Sequence, residues 1–242
     1  MNYILILGAK SELAKELAIL YAKEGFGVIL AGRNIDSLAD FSESLKSKYN
    51  TTAHLSEFDL CEFEKHKEFY QNLRVKPYGI IVATGNYLLQ GKIHPNNKDI
   101  LNCINTNITG PVSLLSFFIE DMKRLKKGFI VGISSVSGER GRKKNYIYGC
   151  SKAAFTTYLS GIRNELYNYN VHVLSVICGY IQSDLRRGGY GKYLEAHPSE
   201  IAKIVFDGQR NNRNIIYVKW YWKILMLIIK IIPEFVFKRL NI

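Results

Sequence analysis

Short apolar runs alternate with longer segments of helical periodicity along most of this chain. Apolar runs that end at glycine or small polar residues are typical of buried strands, whereas apolar residues spaced three or four apart indicate helices. The runs predict strands at residues 3–7, 28–31, 53–58, 79–83, 129–133 and 171–177. The periodic segments predict helices at residues 12–24, in the polar stretch that leads to Tyr49, and at residues 62–73, 98–125 and 147–168.

Such regular alternation predicts a parallel sheet that helices cover on both faces. Right-handed crossovers wind this sheet into a Rossmann-like, doubly wound α/β fold, which at 242 residues fits a single domain. We predict a dinucleotide-binding domain over residues 1–218 and a C-terminal apolar and basic extension over residues 219–242. Because ligands of doubly wound sheets bind beyond the carboxyl ends of the strands, the residues that follow each strand are the site candidates.

The first predicted turn, from strand to helix, has the composition of an anion site. Gly8 permits a tight turn and a close approach of backbone amides to a phosphate, and the helix dipole favours the same anion. The general dinucleotide fingerprint has three glycines, and Gly8 alone is present here. An ordinary strand-to-helix turn therefore remains the alternative.

The residue after the second predicted strand bears on cofactor choice. NAD-specific enzymes place an acidic residue there, against the ribose 2′-hydroxyl, whereas this chain has Arg33. A guanidinium binds a 2′-phosphate through paired hydrogen bonds, so we expect NADP(H) to be preferred over NAD(H) at about two to one. The alternative is that Arg33 stacks on the adenine and discriminates little.

Four polar residues form a candidate catalytic set. Tyr148 and Lys152 are one helical turn apart and share a helix face, so the ammonium favours the phenolate and lowers the pKa of the tyrosine. Such a tyrosine can exchange a proton with a carbonyl or alcohol oxygen. Ser135 follows a predicted strand, where its hydroxyl can hold that oxygen, and Asn107 lies within a predicted helix, where its low propensity indicates a buried polar role. Taken singly, each is more often a surface pair or a turn signal.

Together these segments resemble the short-chain dehydrogenase/reductase family over roughly residues 3–218. The resemblance implies NAD(P)H-dependent reduction of a carbonyl, or the reverse oxidation of an alcohol. It further implies that Tyr148 gives the proton, while Lys152 lowers its pKa and binds the nicotinamide ribose. Ser135 would orient the carbonyl, and Asn107 would hold a water in a proton relay. Members of this family are homodimers or homotetramers, and we expect one of these states here.

The resemblance also implies a set of cofactor contacts along the strand ends. That set is Gly8, Lys10, Ser11, Glu12, Leu13, Arg33, Asp59, Leu60, Ala83, Thr84, Gly85, Tyr148, Lys152, Gly179, Ile181 and Ser183. The chain departs from the family pattern mainly in these loops, where Glu12 and Ala14 replace glycines and Cys178 replaces a proline. We expect these departures to affect cofactor preference and affinity more than the reaction.

Composition and charge narrow the setting of the protein. Four scattered cysteines without CxxC spacing indicate neither a metal site nor a disulfide framework, and the N-terminus lacks a signal-peptide pattern, so we expect a cytoplasmic protein. The net charge of +12 favours anionic partners, although no nucleic-acid-binding module is evident. A basic loop at residues 139–145, with Arg186 and Arg187, is expected either to rim the substrate cleft and bind phosphate or to be solvated.

The extension at residues 219–242 combines tryptophan, tyrosine and lysine with an aliphatic run too short to span a bilayer. It is expected to lie in a membrane interface, at the inner face of the membrane, or else to form a dimer contact or fold onto the domain. Residues 134–149 also resemble the branch with the keto-reductase partner of decaprenylphosphoryl-ribose 2′-epimerase. That resemblance implies a keto-sugar, or a keto-sugar carried on a lipid phosphate, in envelope polysaccharide synthesis. The alternatives are a reductase of another soluble carbonyl compound and a non-catalytic dinucleotide-binding scaffold.

Overall fold

A seven-stranded parallel sheet is the centre of the molecule, whose computed structural model describes residues 1–88, 96–182 and 194–240. In chain order the strands are β1 (Tyr3–Leu7), β2 (Gly27–Gly32), β3 (Ala53–Glu57), β4 (Gly79–Val82), β5 (Phe129–Ser135), β6 (His172–Cys178), β7 (Tyr180–Ile181), β8 (Glu195–Ala196) and β9 (Ile215–Tyr217). The sheet has the order β3-β2-β1-β4-β5-β6-β9, and β7 pairs separately with β8. The predicted Rossmann-like, doubly wound α/β fold is confirmed, with β9 as an additional edge strand that the sequence analysis missed.

Helices cover both faces of this sheet. They are α1 (Glu12–Lys23), α2 (Ala39–Tyr49), α3 (His66–Asn72), α4 (Asn97–Ile104), α5 (Gly110–Leu125), α6 (Tyr146–Leu166), α7 (Pro198–Arg210), α8 (Trp220–Ile231) and α9 (Glu234–Phe237). Alternate strand residues point to opposite faces, and accordingly β1 divides its side chains between two apolar cores. Ile4 and Ile6 pack on the face that carries α1 and α7, whereas Leu5 and Leu7 pack on the face that carries α5 and α6.

One predicted helix differs from the structure in its middle. The segment expected as a single helix over residues 98–125 consists of α4, a π-helical turn at Asn105–Thr109, and α5. Polar residues at this position favour local side-chain hydrogen bonds over regular helix, and π-helical turns occur often at functional sites. The turn carries Asn107 and ends at Gly110, whose missing side chain leaves room for the Leu60 carbonyl.

Candidate active site

A cleft of about 1040 Å³ lies beyond the carboxyl ends of the strands on the β1–β3 side of the sheet. The structure brings much of the predicted cofactor set to its wall, namely Gly8, Lys10, Ser11, Arg33, Asp59, Leu60, Ala83, Thr84 and Gly85. Thr106, from the π-helical turn, also lines this wall. The cleft therefore reaches the π-helical turn that carries Asn107, one of the four candidate catalytic residues.

The first turn of the cleft has the shape of a phosphate cradle. Gly8 has a φ of +80°, and a Cβ there would lie 3.0 Å from the Ala83 carbonyl oxygen, so the turn requires glycine. The Ser11 hydroxyl accepts the Ala14 amide at 3.2 Å and caps the N-terminus of α1. A side-chain-free turn in front of a helix N-terminus suits the pyrophosphate of a dinucleotide, and these residues fit such a cofactor.

Two members of the predicted cofactor set, Glu12 and Leu13, do not present their side chains to the cleft. Leu13 is buried in the core beneath α1, because the helical period directs it inward. The Glu12 carboxylate pairs with the Lys15 ammonium at 2.9 Å on the helix surface. Any contact of these two residues with a cofactor is restricted to their backbone amides.

Acidic residues share the far end of the cleft with Arg33. The Arg33 Nη1 lies 3.6 Å from the Asp59 Oδ2, and both side chains are accessible. Glu57, which the sequence analysis missed, accepts the backbone amides of Asn34 and Ile35 at 2.8 Å each. These two hydrogen bonds hold the pKa of the Glu57 carboxyl below its ordinary value. The sequence signal that could have identified Glu57 was an acidic residue at the end of β3, next to the end of β2.

Lys152 is buried on the face of α6 that contacts Thr84, a residue of the cleft wall. Its Nζ donates to the carbonyl oxygens of Ile133, at 3.0 Å, and Thr84, at 3.3 Å. It lies 6.0 Å from the centroid of the Tyr148 ring, one helical turn away. Because burial penalises the ammonium, the pKa of Lys152 is lowered to about 8.

The turn that follows Ser135 packs against the start of α6, which carries Tyr148. Tyr148 is half-buried, in the first turn of α6, and its ring packs edge-to-face on Tyr87 with 4.8 Å between centroids. The Ser135 hydroxyl accepts the Ser137 amide at 3.1 Å within a 3₁₀ turn at Val136–Gly138. A Cβ on Gly149 would lie 2.6 Å from the Ser137 carbonyl oxygen, so this turn is pressed directly against α6. Glycine beside Tyr148 is what permits that approach.

Asn107 is 1% exposed, and its side-chain amide connects two other elements. Its Oδ1 accepts the Asn86 amide at 2.7 Å, and its Nδ2 donates to the Asn86 carbonyl at 3.0 Å and to the Ser151 hydroxyl at 2.9 Å. The side chain thus ties the segment after β4 to α6. Asn86 and Ser151 escaped the sequence analysis, because their partner is distant along the chain.

Two predicted cofactor residues after β6, Gly179 and Ile181, are not part of the described cleft wall. A Cβ on Gly179 would overlap the indole of Trp222, so glycine here accommodates the C-terminal extension. Ile181 is half-buried in β7, opposite Ala196 of β8. Ser183, Arg186 and Arg187 lie outside the described residues.

The expectation that the whole basic loop at residues 139–145 rims the cleft is wrong for Arg140. Its Nη1 donates to the Ile232 carbonyl at 2.7 Å, its Nη2 donates to the Glu234 carboxylate at 3.0 Å, and its guanidinium covers the Phe237 ring at 3.6 Å. These contacts are to the C-terminal extension, whose helix end offers unpaired carbonyls. Arg142 instead donates to the Ser137 hydroxyl at 3.2 Å.

Residues 219–242 were expected to lie in a membrane interface, to form a dimer contact or to fold onto the domain. In the structure, one face of α8 packs on the domain. Trp222 and Met226 are fully buried and form an apolar cluster with Val136 and Ile177. No helix among the described residues is long and apolar enough to cross a membrane. The same part of the chain contains no group of three His, Cys, Asp or Glu side chains that could bind a metal ion.

Comparison with known proteins defines the class. Residues 2–190 match the sequence model of the short chain dehydrogenase family. An uncharacterized oxidoreductase of Mycobacterium tuberculosis is 27% identical over 240 residues, which cover 98% of this chain and 96% of that protein. Two solved structures resemble this chain with a TM-score of 0.83 and 19% identity, each over 97% of this chain. One is a bulky-bulky ketone specific alcohol dehydrogenase from Comamonas testosteroni, of which 96% is covered. The other is a short-chain dehydrogenase from Sphingobium yanoikuyae in complex with NADPH, of which 97% is covered.

A parallel sheet with a dinucleotide-sized cleft and an adjoining Tyr–Lys helix is the arrangement of a nicotinamide-dependent oxidoreductase. This chain belongs to the short chain dehydrogenase family. It is an oxidoreductase whose fold binds NAD(P)H and whose family acts on small-molecule carbonyl substrates.

Proposed function

We propose that Tyr148, Lys152, Ser135 and Asn107 are the catalytic set of an NAD(P)H-dependent carbonyl reductase. The observation that carries this proposal is the buried Lys152 ammonium, one helical turn from Tyr148 and beside the dinucleotide cleft. Among the described residues its hydrogen-bond partners are backbone carbonyl oxygens, and an ammonium buried in this way is costly and is more often found where chemistry requires it.

In this mechanism the bound nicotinamide supplies the hydride that the carbonyl carbon receives. The Tyr148 phenol donates a proton to the carbonyl oxygen, and the nearby Lys152 ammonium stabilises the phenolate that remains. Because the Ser135 oxygen already accepts the Ser137 amide, its hydroxyl hydrogen can point to the same carbonyl oxygen and polarise it. Asn107 holds Asn86 and Ser151 on either side of this centre and positions a water that returns a proton to Tyr148.

NADP(H) is the proposed cofactor over NAD(H), by about two to one. The Gly8 turn, with Lys10 and Ser11, would hold the pyrophosphate of the cofactor. Asp59 and Leu60 would contact the adenine, and residues 83–85 would contact the nicotinamide half of the cofactor. Arg33 would bind the 2′-phosphate after leaving Asp59, a loose partner at 3.6 Å. The carboxylate of Glu57, held by two amides nearby, opposes this preference and limits its size.

The proposed substrate is a keto-sugar carried on a lipid phosphate, in envelope polysaccharide synthesis at the cytoplasmic face of the membrane. Two features support this class of substrate. The segment 134–149 resembles the keto-reductase branch that acts on such sugars, and the apolar α8 packs against Val136, the neighbour of Ser135. Of the basic loop, the exposed Lys143 and Lys144 remain available for a phosphate.

Oxidation of NADPH by the purified protein, with three kinds of carbonyl, tests the proposal. A polyprenyl-phosphate-linked keto-sugar, the same keto-sugar free in solution and a simple ketone would be compared at equal concentration, with Tyr148→Phe as the catalytic control. We expect turnover to be fastest with the lipid-linked sugar. Faster turnover of the free sugar or the ketone would establish the soluble-carbonyl alternative, and NADPH binding without any turnover would establish the scaffold.

A further inference from the structure

The C-terminal helix α8 exposes an unusually apolar face. Its outward residues follow the helical spacing of one stripe, which we call the α8 stripe: Trp220, Ile224, Leu227, Ile228 and Ile231. Trp220, Leu227 and Ile231 expose 74%, 62% and 71% of their surface. Contiguous apolar surface of this kind on an otherwise folded domain marks an interaction site.

The extension is held firmly on the domain, so the α8 stripe has a fixed direction. Trp222 and Met226 anchor the opposite face of the helix against Val136 and Ile177. Arg140 binds the carbonyl of Ile232 at the end of the helix and the carboxylate of Glu234 beyond it. The stripe therefore projects from the side of the molecule where the Ser135 turn lies.

Positive charge accompanies the α8 stripe. Residues 219–242 contain five basic residues and one acidic residue. Lys219 and Lys230 pair with Glu200 and Glu139 of the domain, whereas Lys223 in the helix and Lys238 and Arg239 after it are exposed. An anionic surface complements this combination, whereas a second copy of the chain in a symmetric contact would bring like charges together.

We propose that the α8 stripe docks onto an anionic phospholipid surface, with the helix lying in the plane of the interface. Helices with an aliphatic face, flanking lysines and tryptophan bind such surfaces through apolar burial together with attraction to anionic headgroups. The docked helix would turn the Ser135 side of the molecule towards the membrane. That orientation rests on the proposed function, since it matters for a lipid-linked substrate.

Sedimentation of the full chain with vesicles tests the proposal. Vesicles of phosphatidylcholine alone and of phosphatidylcholine mixed with phosphatidylglycerol are the two probes. We expect binding to the anionic vesicles to be about tenfold or more stronger than to the neutral ones, and to weaken with salt. Equal binding to both, or no binding to either, would overturn the proposal.

A pair of double variants separates the α8 stripe from general surface hydrophobicity. Leu227→Gln with Ile231→Gln should weaken binding to the anionic vesicles by about tenfold or more, because two aliphatic side chains leave the interface. The matched control is Leu101→Gln with Leu125→Gln, which changes two exposed leucines on α4 and α5 and should leave vesicle binding unchanged. Equal weakening in both variants would contradict the assignment.

Two further readouts on the same samples keep the outcomes apart. Light scattering without vesicles reports oligomeric state, and a dimer that dissociates only in the α8 variant would assign the stripe to a second copy and overturn the proposal. Titration with NADPH reports the oxidoreductase site, which both variants should retain. If the α8 variant loses vesicle binding but keeps NADPH binding, the result supports the docking surface. If the unaltered chain fails to bind NADPH, the result counts against the proposed function alone.

Discussion

At the scale of single residues, the least usual feature is a buried cation. Lys152 is 3% exposed, and its hydrogen-bond acceptors among the described residues are two backbone carbonyl oxygens. Its motif with Tyr148 could be predicted from the four-residue spacing in a helix. Glu57, Asn86 and Ser151 could not, because their contacts depend on the register between strands and on the path of the chain after β4.

Replacing Lys152 by methionine should change the pH dependence of stability. The pKa of Lys152 is about 8 in the folded protein against 10.5 in an unfolded chain. Below about pH 8 Lys152 is protonated in both states, and the cost of burying its charge is fully present. Between about pH 8 and 10.5 Lys152 loses its proton in the folded state but keeps it in the unfolded state. The free energy of unfolding therefore rises with pH in this range. In Lys152→Met this rise should be absent.

Urea unfolding of both proteins across that range measures the difference. Lys152→Met should also be more stable than the parent chain at neutral pH, since it lacks the desolvation cost. A constant difference in the free energy of unfolding at all pH values would contradict a depressed lysine pKa.

Arg33→Ala should discriminate between the two nicotinamide cofactors. If the guanidinium binds a 2′-phosphate, affinity for NADPH falls by about tenfold while affinity for NADH changes little. Fluorescence titration with each reduced cofactor measures this. Arg124→Ala, which removes an exposed arginine on α5, is the control and should alter neither affinity. Equal weakening for NADPH and NADH would favour adenine stacking.

At the scale of elements, strands were predicted more closely than the helix terminations. Strands β1, β2, β4, β5 and β6 are buried apolar runs, which leave a clear signal in the sequence, whereas β3 is mostly polar and half-buried. The π-helical turn at Asn105–Thr109 has no comparable local signal, whereas β9 lies in a short apolar run at residues 215–218 that the sequence analysis missed. Strand β9 exists because it pairs with β6, a contact that the sequence pattern alone does not encode.

Arg140→Ala should loosen α8 and α9 without unfolding the domain. The guanidinium satisfies carbonyls at the C-terminal end of α8 and pairs with Glu234, and charge-assisted hydrogen bonds of this kind are strong. Amide hydrogen exchange should accelerate by about tenfold in α8 and α9 and stay unchanged in β1 and β4. Arg142→Ala is the matched control from the same loop and should leave α8 protected. Uniform acceleration across the sheet would contradict a local role.

At the scale of the whole molecule, the chemistry collects along one edge of the sheet. The carboxyl ends of β1 to β4 surround the dinucleotide cleft, β5 ends at Ser135, and α8 packs beside the turn that follows. Connectivity predicts this gathering, because parallel strands bring the residues after them to a shared edge. The position of the extension was left open by the sequence, since an apolar and basic helix suits a bilayer, a partner or the domain equally well.

The most direct test of the central claim is single-turnover reduction of a carbonyl by Tyr148→Phe. The phenylalanine ring keeps the edge-to-face contact with Tyr87, so NADPH should still bind, but the ring has no hydroxyl from which to donate a proton. The rate of NADPH oxidation should fall by about 10²- to 10⁴-fold, as expected on removal of a general acid. A variant that oxidises NADPH at the rate of the parent chain would show that Tyr148 is not the proton donor.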